Sequence, residues 1–223
     1  MISVAIDGPA GAGKSTLSRK VAEHFGYIYV DTGALYRAVG LKFSIKGADT
    51  SLECDIEGIL SETVVDIRFV DGEQRVFLDG EDVSDKIRTP EASMMASAVS
   101  AKPAVRAFLL EMQRKLAREN NVVMDGRDIG TVVLPDAQIK IYLTASAEVR
   151  AKRRYDELIA KGQTVEYKDV YEDMLQRDYN DMNREIAPLK QAEDAVLADT
   201  SEYSFDGSLE LLINIVNKGI ENI

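Results

Sequence analysis

Gly8-Pro9-Ala10-Gly11-Ala12-Gly13-Lys14-Ser15, followed by Thr16, fits the pattern G-x-x-x-x-G-K-[ST] in full and comes just after an apolar run, Ile2-Ser3-Val4-Ala5-Ile6. Glycines let the backbone turn so that successive N–H groups converge on phosphate oxygens; Lys14 adds positive charge, and the Ser15 hydroxyl is a candidate Mg²⁺ ligand. Beyond the loop, Leu17, Val21 and Phe25 recur at helical spacing and Gly26 offers a stop, so the spacing predicts a helix with the anion at its N-terminus. Strand, glycine loop and helix in that order predict a nucleoside-triphosphate site rather than a chance glycine-rich turn.

Working outward, four further apolar runs read as buried parallel strands: residues 27–30, 122–124, 139–143 and 195–198. Helical patterns separate them, through Leu35, Ala38, Val39 and Phe43; Leu52, Ile56, Ile59 and Leu60; Val105, Phe108, Leu109, Met112 and Leu116; and Leu209, Leu212, Ile213 and Val216. Alternation of strands and helices, with near-continuous apolar strands, predicts an α/β core with helices on both faces and strand C-termini along one edge. One stretch breaks the rhythm. Val65, Ile67 and Phe69 alternate with polar residues, and Asp71-Gly72 and Asp79-Gly80 are hairpin turn signals, so roughly residues 61–90 predict a small antiparallel insert.

Composition bounds the partners. The chain has 223 residues, 45% hydrophobic and 29% charged, with a formal net charge of −11, which argues against nucleic acid or an anionic membrane as a partner. An anionic substrate then requires a local cationic cluster. Cys54 is the single cysteine, so no intrachain disulfide forms and a reducing compartment, the cytoplasm, is expected, with the thiol buried and inert. The first strand starting at residue 2 leaves no room for a signal peptide, and no apolar run reaches membrane-spanning length. Nothing marks an exposed apolar interface, so a monomer is expected.

The chemistry gathers after the strands, where an open α/β sheet holds its ligands. Residues 27–30 lead into Asp31-Thr32-Gly33-Ala34-Leu35-Tyr36-Arg37, and residues 122–124 into Asp125-Gly126-Arg127-Asp128. Asp31 alone reads equally well as a helix cap. The strand at 139–143 is followed by a helix bearing Arg150, Arg153 and Arg154, and Arg177, Asp181 and Arg184 stand at i, i+4 and i+7, a spacing that predicts two guanidinium groups around one carboxylate on a helical face. Arginine forks match phosphate oxygens bidentately, so arginines in several segments of an acidic chain point to a phosphate-transfer site. His24, the one histidine, sits on the helix after the loop and reads as structural. No nucleophile elbow, Cys/His metal pattern or G-x-G-x-x-G fingerprint occurs. A phosphate acceptor needs no base, because its second ionisation is largely complete at neutral pH.

With the loop, residues 31–37, Ile87-Arg88-Thr89, the run 125–133 (Asp-Gly-Arg-Asp-Ile-Gly-Thr-Val-Val) and Asn183-Arg184-Glu185-Ile186-Ala187-Pro188-Leu189 in order, the chain resembles the bacterial cytidylate kinases over nearly its whole length. The resemblance implies a P-loop nucleoside-monophosphate kinase fold: a five-stranded parallel sheet flanked by helices, with a small antiparallel insert and a short lid. It implies one kinase domain with a core at about 1–35, 104–147 and 163–223, a monophosphate-binding region at about 36–103 and a lid at about 148–162. It also implies transfer of the γ-phosphoryl of ATP to CMP or dCMP, with Mg²⁺.

Carried over position by position, residues 8–16 (Gly8, Pro9, Ala10, Gly11, Ala12, Gly13, Lys14, Ser15, Thr16) and Arg153 bind ATP, with Ser15 on the metal. Tyr36, Arg37, Arg127 and Arg184 grip the acceptor phosphate, Arg177 and Asp181 meet the ribose, and Ser97, Arg106 and Asp128 read cytosine. Thr32 joins the acceptor site in a position where serine is common among relatives. Lys14, Arg127, Arg153 and Arg184 then form the catalytic set. Alternatives are a P-loop kinase of another acceptor, such as UMP, AMP or a shikimate-type hydroxyl substrate with Asp31 as base, and a GTPase-like switch. The switch lacks its guanine-reading carboxylate, since Asn217-Lys218 is followed by Gly219-Ile220.

Overall fold

In the computed structural model, which describes residues 1–48, 55–70 and 73–223, the phosphate-loop strand β1 (Ser3–Asp7) lies at the centre of a parallel sheet. In chain order it is followed by α1 (Lys14–Phe25), β2 (Ile28–Asp31), α2 (Thr32–Ile45), α3 (Ile56–Ser61), β3 (Val65–Val70), β4 (Glu73–Leu78) and β5 (Glu81–Asp82). Then come α4 (Pro90–Ser100), α5 (Pro103–Glu119), β6 (Val122–Gly126), a π-helical turn (Ile129–Val133), β7 (Ile139–Thr144), α6 (Ala147–Ala160), α7 (Tyr167–Asn183), β8 (Val196–Asp199) and α8 (Phe205–Glu221). The main sheet has five strands in the order β2-β6-β1-β7-β8, all parallel, with Asp7 in register with Gly126 and Asp31 with Asp125.

Helices cover both faces of the central strands β6, β1 and β7, which is why these read as near-continuous apolar runs. The run at 195–198, expected as a buried strand, is instead the exposed edge strand β8, in which Val196 and Leu197 face solvent and Ala198 is buried. Val4, Ile6, Val123, Ile141 and Leu143 pack on one face against Leu17 and Val21 of α1 and Leu212 and Val216 of α8. Their neighbours Ala5, Val122 and Met124 point to the other face, with Val30, Ala117 of α5 and Val133 of the π turn. Pro103 in the first turn of α5 and the Ser146 side chain, which accepts from Val149 N ahead of α6, mark where those helices start. The expected insert is present as an antiparallel sheet, β3-β4-β5, whose Val65, Val76 and Leu78 close a second core with Leu35, Val39 and Phe43 of α2. Leu52, Cys54 and the Asp71-Gly72 turn fall outside the described residues; Asp79-Gly80 forms the expected turn, both residues at positive φ.

Candidate active site

The strands deliver their C-terminal residues to one edge, and there a cavity of about 320 Å³ opens between the phosphate loop, the start of α2, α4, the loop after β6 and the end of α7. Residues 10–16 line one side; Thr32, Tyr36, Arg37, Ser97, Arg127, Asp128, Arg177, Asp181 and Arg184 line the rest. Gly8 and Pro9 form the root of the loop. A side chain at Gly8 would collide with the Leu143 carbonyl, so the loop lies directly on β7. Lys14 is buried and donates to the Pro9 carbonyl at 2.7 Å; burial, reinforced by Arg127, holds its ammonium well below the usual lysine range.

Beside Lys14, Asp125 ends β6. Its carboxylate accepts from Ser15 Oγ at 3.0 Å and Tyr29 OH at 3.1 Å, and its carbonyl accepts from Thr32 Oγ1 at 2.7 Å. Burial, with Asp31 adding repulsion, pushes Asp125 up to about 7. A desolvated carboxylate beside an exposed hydroxyl is a donor set suited to a hard cation. Among the described residues no group of three or more His, Cys, Asp or Glu could hold a metal, so most ligands of such a cation would be phosphate oxygens and water. Asp7, at the end of β1, accepts from Ile129 N and Gly130 N, both at 2.7 Å, and so ties the strand beneath the phosphate loop to the loop carrying Arg127 and Asp128; burial raises it to about 6.

Every arginine but Arg177 that faces the cavity is held by a carboxylate. Arg37 pairs with Asp31 at 2.9 Å, Arg127 with Asp181 at 2.7 Å, and Arg184 with Asp128 at 3.2 Å. The second oxygen of Asp128 takes Arg106, which lies behind the cavity wall, 5.7 Å from the Tyr36 ring centroid. Burial raises the Asp128 carboxyl even against these two guanidinium groups. Burial works against the charge of Arg127, but Asp181, with Asp125 and Asp178, together more than offsets it and raises the guanidinium above its usual value. The cavity therefore carries five cations (Lys14, Arg37, Arg127, Arg177, Arg184) against four carboxylates (Asp31, Asp125, Asp128, Asp181), and an entering phosphate exchanges partners with side-chain anions rather than meeting bare charge.

Two sequence expectations are corrected. Arg177, Asp181 and Arg184 do not share a helical face, because α7 ends at Asn183 and Arg184 is already extended, with φ −64° and ψ 142°. Asp181 takes Arg127 from across the cavity instead, and Arg184 turns to Asp128 and to the Ala187 carbonyl at 2.6 Å. Nor does Arg153, expected at the ATP site, line the cavity. Arg150 is buried and donates to Ala10 O and Ala145 O, Arg153 binds Thr200 O at 2.9 Å away from the cavity wall, and Arg154 pairs with Glu157 on the surface. Arg150 and its partner Asp178 were not singled out as site residues in the sequence. Asp31 is indeed a helix cap, accepting from Ala34 N, as well as an arginine partner. His24 is exposed, its ring edge-on to Phe25, as a structural histidine should be.

The family model described as cytidylate kinase matches residues 4–218. The chain is 52% identical over 221 residues to a cytidylate kinase of Caldicellulosiruptor bescii, covering 99% of this chain and 98% of that one. It is 45% identical to a cytidylate kinase of Lactobacillus johnsonii, over 100% and 96% of the two chains. Among solved structures, the fold is similar to a protein of Eubacterium ventriosum (TM-score 0.51, 14% identity, all of both chains) and to a shikimate kinase of Bacteroides thetaiotaomicron (TM-score 0.50, 12% identity, 99% and 98% of the chains). At such identities these structures speak for the fold alone.

Proposed function

The chain belongs to the cytidylate kinase family, and we propose that it transfers the γ-phosphoryl of ATP to CMP or dCMP, giving ADP and CDP or dCDP. The observation that carries this reading is the continuity of one cavity from Lys14 and Ser15 to Ser97 and Asp128, with Arg37, Arg127 and Arg184 between. ATP lies with its β- and γ-phosphates in residues 8–16. CMP enters from the far side with its phosphate on Tyr36, Arg37, Arg127 and Arg184, its ribose on Arg177 and Asp181, and its base against Ser97 and Asp128, the latter held from behind by Arg106. Cytosine offers an amine donor to the Asp128 oxygen that Arg106 does not hold, where uracil would set a carbonyl against it and leave that oxygen without a donor.

Mg²⁺, held by Ser15 and attracted by Asp125, supplies charge neutralisation on the nucleotide phosphates when bound. The chain's own residues align donor and acceptor phosphates in line, and Lys14 with the arginines stabilises the equatorial oxygens of the transferring group. No side-chain base is needed, since the attacking oxygen is already ionised. On Arg127 and Arg184, the acceptor phosphate replaces Asp181 and Asp128, which frees both carboxylates for ribose and base. Arg153, on α6 at the core of the lid at about 148–162, turns from the Thr200 carbonyl to reach the donor nucleotide when ATP binds, while residues 36–103 make up the acceptor region. We take the enzyme to act as a monomer on small molecules in the cytoplasm; the net charge of −11 disfavours a nucleic-acid partner.

An ADP-release assay with ATP, Mg²⁺ and single acceptors tests the reading. CMP and dCMP should support turnover well above UMP and AMP, and Arg184→Ala should raise the CMP KM about tenfold or more while sparing the ATP KM, as expected for loss of a charge-assisted pair. Turnover with shikimate-type hydroxyl acceptors but not CMP would refute it.

A further inference from the structure

β2 is the outermost strand of the main sheet, so the N–H and C=O groups on its outer side have no strand to pair with. At Asp31 this edge is closed by one side chain from the insert. Asp31 N donates to Gln74 Oε1 at 2.8 Å, and Gln74 Nε2 donates back to the Asp31 carbonyl at 3.4 Å. The Gln74 amide thus imitates a strand partner, and the polarity of the backbone fixes which way round it lies.

Asp31 is where three constraints meet. One carboxylate oxygen caps α2 by accepting from Ala34 N at 3.0 Å, and the other holds Arg37 Nη2 at 2.9 Å. Arg37 Nε is buried with no hydrogen-bond partner, so Asp31 is what orients this guanidinium toward the cavity. The space is closely filled: a Cβ on Gly33 would sit 3.1 Å from both Arg37 Nη1 and Asp31 Oδ1. The insert is fixed again at the far end of α2, where Lys42 donates to Asp79 at 2.5 Å and to the Glu62 carbonyl at 3.2 Å. Hairpin and helix are thereby tied at two points, one of them a single residue removed in the bonding chain from Arg37.

We propose that Gln74 is a positioning residue for the acceptor phosphate: by holding the Asp31 backbone it sets the carboxylate that aims Arg37. The proposal rests on the reading of Arg37 as an acceptor-phosphate ligand. It gives the insert a task in the reaction, since β4 reaches the site through this one amide.

The test is a double-mutant cycle with Gln74→Ala, Arg37→Ala and both together, measuring CMP KM, ATP KM and melting temperature. Gln74→Ala should raise the CMP KM about five- to tenfold, the span of a lost hydrogen bond or two, and leave the ATP KM unchanged. In the Arg37→Ala background the same change should alter the CMP KM by less than about twofold, because the group that Gln74 aims is gone. Gln74→Met, which keeps the side-chain volume without the amide, should reproduce the effect at near-native melting temperature. Equal factors in both backgrounds, parallel rises in the two KM values, or an unaltered CMP KM in Gln74→Met would overturn the proposal. An Arg37→Ala enzyme with a native CMP KM would instead overturn the role of Arg37 itself.

Discussion

Removing Arg150 should unfasten the phosphate loop from α6. This side chain is 6% exposed and makes three polar contacts: Nη1 to Ala10 O at 2.9 Å, Nε to Ala145 O at 2.9 Å and Nη2 to Asp178 Oδ2 at 2.7 Å. Asp178 is 11% exposed and its other oxygen already lacks a partner, so in Arg150→Ala it becomes a buried, uncompensated anion. Breaking a buried pair from one side costs about 3–5 kcal/mol. The two carbonyls recover part of their bonding from water entering the vacated space, so the total stays near 4 kcal/mol. For a chain of this size that is a drop of about 8–16 °C in Tm. Urea unfolding of four proteins reads it: the parent, Arg150→Ala, Asp178→Asn and the double variant. Asp178→Asn should restore about 2 kcal/mol in the Arg150→Ala background, because it removes the stranded charge. Since Ala10 belongs to the loop, the ATP KM should rise several-fold in Arg150→Ala while the CMP KM holds. A loss under about 1 kcal/mol, or a double variant no more stable than Arg150→Ala, would refute the view that this pair carries the loop.

Two further outcomes follow from the site. Lys14→Ala should lower kcat by about 100- to 1,000-fold with every acceptor, as when a transition-state donor is removed, with CMP KM nearly native; steady-state kinetics at saturating Mg·ATP checks it. For Asp125, at about 7, the useful form is the anion, so kcat/KM for Mg·ATP should fall as pH drops through about 7, and Asp125→Asn should be slower and lose that limb. The same shift has a stability consequence of definite sign. The native carboxyl holds its proton more tightly than the unfolded chain does, so the contribution of Asp125 to stability declines as pH rises from about 4 to about 7, and Asp125→Asn should flatten this slope in urea titrations.

Much of the fold was legible because its signals are local. The glycine loop between strand and helix is a contiguous pattern, and the central strands announce themselves as apolar runs because helices cover both faces, whereas the apolar run of β8 lies at an exposed edge. The insert shows through its change of period at Val65, Ile67 and Phe69. Arg37, Arg127 and Asp128 were legible because they follow strands that end on one edge, while Asp181 and Arg184, at the end of α7, came from helical spacing and the family resemblance; all five line the cavity.

What the chain order and residue types determined by themselves, then, was the sheet, the phosphate loop and the set of charged residues brought to its edge. Which carboxylate each guanidinium takes was decided by tertiary structure alone: Asp181 lies 54 positions from Arg127, and Asp128 lies 56 from Arg184. The i, i+4, i+7 spacing suggested another pairing, and it failed because α7 stops one residue before Arg184. Arg150 was told from Arg153 only by burial, and Gln74 gained its place only when the insert met the free edge of β2. Periodicity reports which face of an element is apolar; the Coulomb and hydrogen-bond partners of a polar side chain depend on through-space distances that sequence spacing does not encode.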